Sequence, residues 1–132
     1  MKEDLDFHDR ELIALFCNPG TNTMQIYISY RPGKILKIYI RDIEKIEEYN
    51  SESLSLFFVS AATLDNGELE KNNSGDTLSL SGIEYNTKFE SIYWSFKVYA
   101  KEIKYEISDL NEEKINKIEM LSHIDIRKFI EE

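Results

Sequence analysis

His8 and Asp9 are neighbours in the sequence, and a histidine beside a carboxylate is a pairing that can hold a divalent ion in metal-dependent phosphohydrolases. Such enzymes draw further histidines from a helical domain. This chain has two histidines in all, His8 and His123. In the ordinary alternative, Asp9 starts a turn and His8 hydrogen-bonds the chain entering the first strand. Cys17 is the single cysteine. It becomes a nucleophile only if His123 lies beside it with an orienting carboxylate; otherwise it is a small hydrophobe at a strand end. No CxxC motif or Gly-rich elbow accompanies it. The sequence therefore assigns no catalytic residue, metal ligand or cofactor site, and the chain is expected not to be an enzyme.

Carboxylates are the more abundant chemistry. Asp65, Glu68, Glu70 and Asp76 fall in one stretch with a single lysine, Lys71, and Glu44, Glu47 and Glu48 fall in another. The first group does not fit the EF-hand template, whose carboxylate rhythm and closing glutamate are missing. Two roles remain for these seven acids: a solvated surface, or the recognition face for a basic partner. Tyr27, Tyr39, Tyr93 and Tyr99 alternate with apolar residues. They read either as a sticky strand face, since tyrosine is enriched at interfaces, or as ordinary cross-strand packing.

The whole chain narrows the choice. It has 132 residues and a net charge of −9, so a single domain spanning 1–132 is expected. The charge repels nucleic acid, whose phosphates need Lys/Arg clusters, and attracts basic surfaces. No apolar run approaches the roughly 20 residues of a helical membrane span. The acidic N-terminus does not read as a signal peptide, and one cysteine suits a reducing compartment. A cytoplasmic protein without nucleic-acid or membrane partners is expected.

The elements that must position these residues read mainly as strands. Thr23 to Tyr30 and Ile35 to Arg41 alternate apolar and polar, with Arg31-Pro-Gly-Lys34 as the turn between them. Met24, Ile26, Ile28 and Tyr30 then share one face, as do Leu36, Ile38 and Ile40. Glu11 to Cys17 precedes them, ended by Asn18-Pro-Gly20, and completes a meander. Ile43 and Ile46, three apart in Asp42 to Glu48, suggest a helical turn. Leu54 to Ser60 reads as a central strand. Leu64 to Asp76, with Asp65-Asn-Gly67 and Asn72-Asn-Ser-Gly75, reads as an exposed loop or a loose hairpin tip. Thr77 to Ser81 is a strand with Leu78 and Leu80 inward and hydroxyls outward, and Gly82 marks a bulge or bend. Lys88 to Ile107 is the longest alternating pattern, interrupted at Lys101-Glu102. It is either two strands or one bent strand. Asp109-Leu-Asn111 caps a helix carrying Ile115 and Ile118, and residues 122–132 form a second short helix or a final strand. The expected fold class is α+β: mainly antiparallel, six or seven strands in a sandwich or half-open barrel, with a C-terminal helix.

Phe7-His-Asp-Arg-Glu-Leu12, the strand after it, the Asn18-Pro-Gly20 turn, the Met24–Tyr30 strand and Leu36-Lys-Ile-Tyr-Ile-Arg-Asp-Ile43 together resemble the start of small β-rich bacterial immunity proteins. Those proteins accompany polymorphic toxins, including contact-dependent growth inhibition systems. The likeness covers about the first third of the chain. It implies a cytoplasmic antitoxin-type protein that binds a cognate toxin domain, commonly a basic nuclease, and occludes it. It transfers no site residue. Two other functions stay open: a small hydrolase or metal-binding enzyme using His8 and Asp9, and a ligand-binding or structural β domain.

Overall fold

The computed structural model describes residues 2–18, 20–30, 33–49, 62–85 and 91–109. They form six strands: β1 (Glu11–Asn18), β2 (Thr23–Ser29), β3 (Lys34–Tyr49), β4 (Ala62–Asn72), β5 (Gly75–Tyr85) and β6 (Ser91–Asp109). All pairings are antiparallel, in the order β1-β2-β3-β6-β5-β4, and β4 returns to β1 to close a barrel. Two three-stranded meanders thus join through β3–β6 on one side and β1–β4 on the other.

The hairpin of β2 and β3 forms as the sequence requires. Gly33 has φ +76°, a conformation that L side chains rarely adopt. The Tyr30 N–H donates to the Lys34 carbonyl at 3.1 Å. Met24, Ile26, Ile28, Tyr30, Leu36, Ile38 and Ile40 all enter one core, with Leu78 and Leu80 of β5 and Trp94, Phe96, Val98 and Ala100 of β6. Alternation therefore gave the inward faces of four strands correctly.

The fold class needs correction. No helix occurs among the described residues, and the sheet is a closed barrel rather than a sandwich or half-open one. Asp42 to Glu48, read as a helical turn, lies within β3. The register moves from Ile43↔Ala100 to Lys45↔Tyr99, so Glu44 is an extra residue in the strand. A bulge of this kind separates two inward positions by three residues and imitates helical spacing. Asp109, read as a helix cap, ends β6 opposite Lys34 and pairs with that lysine's ammonium. The proposed helix from 110 onward, residues 122–132 and the strand at 54–60 lie outside the described residues.

The phase break at Lys101-Glu102 resolves into one continuous bent strand. Glu102 pairs with Arg41 and Ala100 with Ile43, so the break in β6 faces a matching break in β3, where Asp42 has φ +54°. Both strands bend together, and Ile40 and Ile103 resume the inward stripe as partners.

Leu64 to Asp76 is a regular hairpin rather than a loop. Asn72 pairs with Gly75 around the tip at Asn73-Ser74, as the second turn signal predicted. The first signal, Asp65-Asn-Gly67, is no turn. Asp65 is a bulge between Leu64↔Gly82 and Asn66↔Ser81. Gly67 is glycine because the Phe7 ring lies against it: a Cβ there would stand 2.6 Å from that ring. Gly82 pairs regularly with Trp94, and a Cβ on it would meet the Thr63 carbonyl at 2.2 Å and the indole at 2.7 Å.

Among the described residues, β1 pairs with β4 through Glu11↔Thr63 and Leu12↔Ala62. The N-terminal segment extends that seam. Glu3 N–H donates to the Leu69 carbonyl (2.8 Å), Asp9 N–H to Leu64 (3.0 Å), and Leu64 N–H to Arg10 (2.7 Å). Lys2 bridges Glu70 at the far end.

Candidate acidic groove

The outer face of β4, β5, β6 and β3 is hollowed into an open groove of about 460 Å³. Register explains its composition. Inward residues alternate with outward ones, and the outward rows here are Asn66–Ser81–Ser95 and Glu68–Ser79–Lys97–Glu47. The serines are half-buried and form a floor of small hydroxyls. Small side chains on neighbouring strands leave a depression that larger ones would fill. Glu48, at the end of β3, also lines the groove, but it pairs with the inward Phe96 and so leaves the strand on the face opposite to Glu47; Lys97 is the cation of the lining.

Of the seven acids singled out in the sequence, the fold brings Glu47, Glu48 and Glu68 to this groove. Glu44 and Asp65, the two bulged residues, are exposed outside it, and Glu70 is half-buried against Lys2's bridge. Asp76 is different. It is 6% exposed, the one buried charged residue among those described. It accepts from the Ile103 N–H at 2.8 Å and the Asn72 N–H at 3.3 Å, with Lys71 Nζ at 3.9 Å. It is therefore not part of the acidic surface. Its parity with Leu78 and Leu80, two and four residues on, was a legible signal that it points inward.

The groove carboxylates are already near cations. Lys45 Nζ lies 3.0 Å from Glu47, and that hydrogen bond, ahead of the attraction itself, lowers the glutamate's pKa and keeps it ionised. Lys2 Nζ lies 3.4 Å from Glu68. All four side chains are substantially exposed, and surface pairs of this kind are weak, so a partner's cation can replace either lysine. Lys45 and Lys97 also sit over the Tyr99 ring, at 5.8 and 5.2 Å from its centroid. Tyr99 thus serves as a cation platform on the outer face. Sequence reasoning named Tyr99 and placed the hydroxyls of Thr77 to Ser81 outward, but gave the serines no part in a site.

His8 and Asp9 sit elsewhere, at an exposed turn where Asp9 has φ +58°. His8 Nδ1 donates to the Asp65 carbonyl at 2.9 Å, and Nε2 stands 3.2 Å from the Asp9 carboxylate. Both ring nitrogens face acceptors, which favours the doubly protonated ring. The Asp65 carbonyl first, then the Asp9 charge, raise the His8 pKa above its ordinary 6.5. Protonation therefore supports the folded turn. That support is complete below the unfolded value and is lost as pH rises through the higher folded one. An NMR titration is expected to place the His8 midpoint above 6.5. Asp9→Asn should lower it without restoring the ordinary value, because the Asp65 carbonyl remains; a midpoint at or below the ordinary value in the native protein would contradict the arrangement.

Among the described residues, no group of three or more His, Cys, Asp or Glu side chains is placed to hold a metal ion. The Cys17–His123 pairing lies outside the described side chains. Among the described residues, no helix is long and apolar enough to cross a membrane. No protein-family model, curated protein or solved structure matches this chain.

Proposed function

We propose that this chain is a non-catalytic binding protein of the immunity, or antitoxin, type. It acts in the cytoplasm by covering the cationic groove through which a cognate toxin domain, a basic nuclease, holds its nucleic acid. The observation that carries this reading is the meeting of Glu47 and Glu48 from β3 with Glu68 from β4 in one open groove. Twenty residues separate Glu48 from Glu68 in sequence, and four strands of barrel bring them together.

The physics of such a complex is steering followed by occlusion. The chain's net charge of −9 raises the encounter rate with a basic surface and makes it sensitive to salt. The serine hydroxyls, each both donor and acceptor, can satisfy the partner's polar groups as water leaves. Nucleic acid itself is repelled by the same charge. The hydrolase alternative draws less support, because His8 and Asp9 are turned towards each other and the Asp65 carbonyl at an exposed turn, away from the groove.

A nuclease reading frame is expected beside this chain's gene, and its product is the partner in the test; the lack of such a frame would count against the reading. The triple variant Glu47→Lys, Glu48→Lys, Glu68→Lys should slow association at low salt by about tenfold or more and flatten its salt dependence. The control pair Glu44→Lys, Glu70→Lys, outside the groove, should change it far less. Stopped-flow association rates at two salt concentrations separate the cases. Unchanged rates in the triple variant would remove the groove from the interface, and equal losses in both variants would reduce its role to diffuse charge.

A further inference from the structure

We propose that the edge of β4 and the notch at Gly67 form a binding site for an extended segment, and that the first residues of a second copy of this chain fill it, so that two copies exchange their N-terminal segments. This does not depend on the groove being a binding face.

The segment ahead of β1 has the character of a separate strand. Lys2, Asp4 and Asp6 are exposed, Glu3 and Leu5 are half-buried, and Phe7 is 2% exposed, an alternation of period two. Its backbone meets β4 through Glu3 N–H on the Leu69 carbonyl and the bridge of Lys2 to Glu70. Its N–H at Asp6 donates to the Tyr30 hydroxyl at 3.1 Å, and its Glu3 carboxylate accepts from the Tyr105 hydroxyl at 3.3 Å. Leu5 and Phe7 pack on the barrel core.

The receiving surface is shaped for it. Gly67 leaves the space that the Phe7 ring fills, since a Cβ there would stand 2.6 Å from that ring. On its other side β4 is paired with β5 throughout this stretch. Removal of the segment would therefore bare one strand edge from Leu64 to Glu70 beside an opening into the core, and a bare edge is a template for another extended chain. Site and occupant belong to one sequence, so each contact made within a copy is equally available between two copies.

The connection to β1 sets the balance. Phe7 is joined to β1 by a tight turn at His8–Asp9, with the Arg10 N–H donating to the Phe7 carbonyl at 3.3 Å and Asp9 at φ +58°. Aspartate tolerates a positive φ better than most residues, and a β-branched residue hardly at all. Opening the turn releases Asp9 from this conformation and frees the segment to reach a neighbour; short hinges held under strain favour exchange of this kind. The tether keeps the segment at an effective concentration on the order of 1 mM, so exchange should emerge at protein concentrations near that value.

A cross-linking experiment on the full chain tests this. Chains carrying Lys2→Cys are mixed with chains carrying Glu70→Cys at about 1 mM under mild oxidation, and the disulfide-linked pair is mapped by mass spectrometry. A 2–70 link between chains forms only where the segment of one copy lies on β4 of the other. Its yield should exceed by about tenfold that from Lys2→Cys mixed with Glu44→Cys, an exposed position away from the seam, and should fall steeply on dilution. Asp9→Val added to both chains should raise the yield several-fold, and Asp9→Gly should lower it. Equal yields from the two mixtures would mean random collision and overturn the exchange. Absence of the 2–70 link, or a yield indifferent to both Asp9 substitutions, would overturn it as well.

Discussion

Phe7→Ala is expected to destabilise the protein by about 3–5 kcal/mol, a large share of the 5–15 kcal/mol that holds a typical domain together. Phe7 precedes every strand, yet it is 2% exposed and belongs to the barrel core. Its ring lies where a side chain on residue 67 would be, against Gly67 and beside Leu80. Truncation would leave a cavity walled by two strands that are hydrogen-bonded to their neighbours and cannot collapse into it. The loss should spread along the seam, because the segment carrying Phe7 provides the backbone partners of Leu64 and Leu69. Urea unfolding checks this: the midpoint should fall sharply while the slope changes little. A loss below about 1 kcal/mol would show that the N-terminal segment is a dispensable cover.

Asp76→Ala should cost about 2–3 kcal/mol, and Asp76→Asn less, because the amide oxygen can still accept one bond. The reason lies in the bend shared by β3 and β6. β6 follows β5 only as far as Ala100, opposite Asp76, and then continues with β3 alone. The Ile103 N–H just past that departure is buried, and the Asp76 carboxylate accepts from it at 2.8 Å. Alanine would strand this donor away from water, which costs more than a missing surface contact. The same carboxylate accepts from the Asn72 N–H and so ties the β4–β5 hairpin to the bend. Hydrogen exchange should show the variant losing protection first at Ile103 and Asn72. Uniform loss across the barrel, or native protection at Ile103, would place the role of Asp76 elsewhere.

Strand content and the core were readable because period-two alternation is a local property. Met24 to Tyr30, Leu36 to Ile40 and Trp94 to Ala100 carry it without interruption, and their inward faces follow from parity alone. The misreadings fall at bulges. Glu44 inserted into β3 turned a strand into apparent helical spacing, and Asp65 inserted into β4 made Asp65-Asn-Gly67 look like a turn. A bulge is defined by the register of the partner strand, which no single stretch contains. Gly67 and Gly82 failed in the same way: each is glycine because an aromatic ring, Phe7 or Trp94, packs against it from another element.

The groove divides likewise. That the chain is acidic, and that its carboxylates concentrate at 44–48 and 65–76, was legible residue by residue. That Asp76 leaves this set was legible too, from its spacing to Leu78. The sequence by itself determined an antiparallel β protein with its inward stripes and its excess negative charge, because those depend on residue type and alternation. Only the tertiary structure decided that the sheet closes and that three of the acids share a serine-floored groove. Each of these is a matter of which strand lies beside which, and that is settled by long-range register and not by any local pattern.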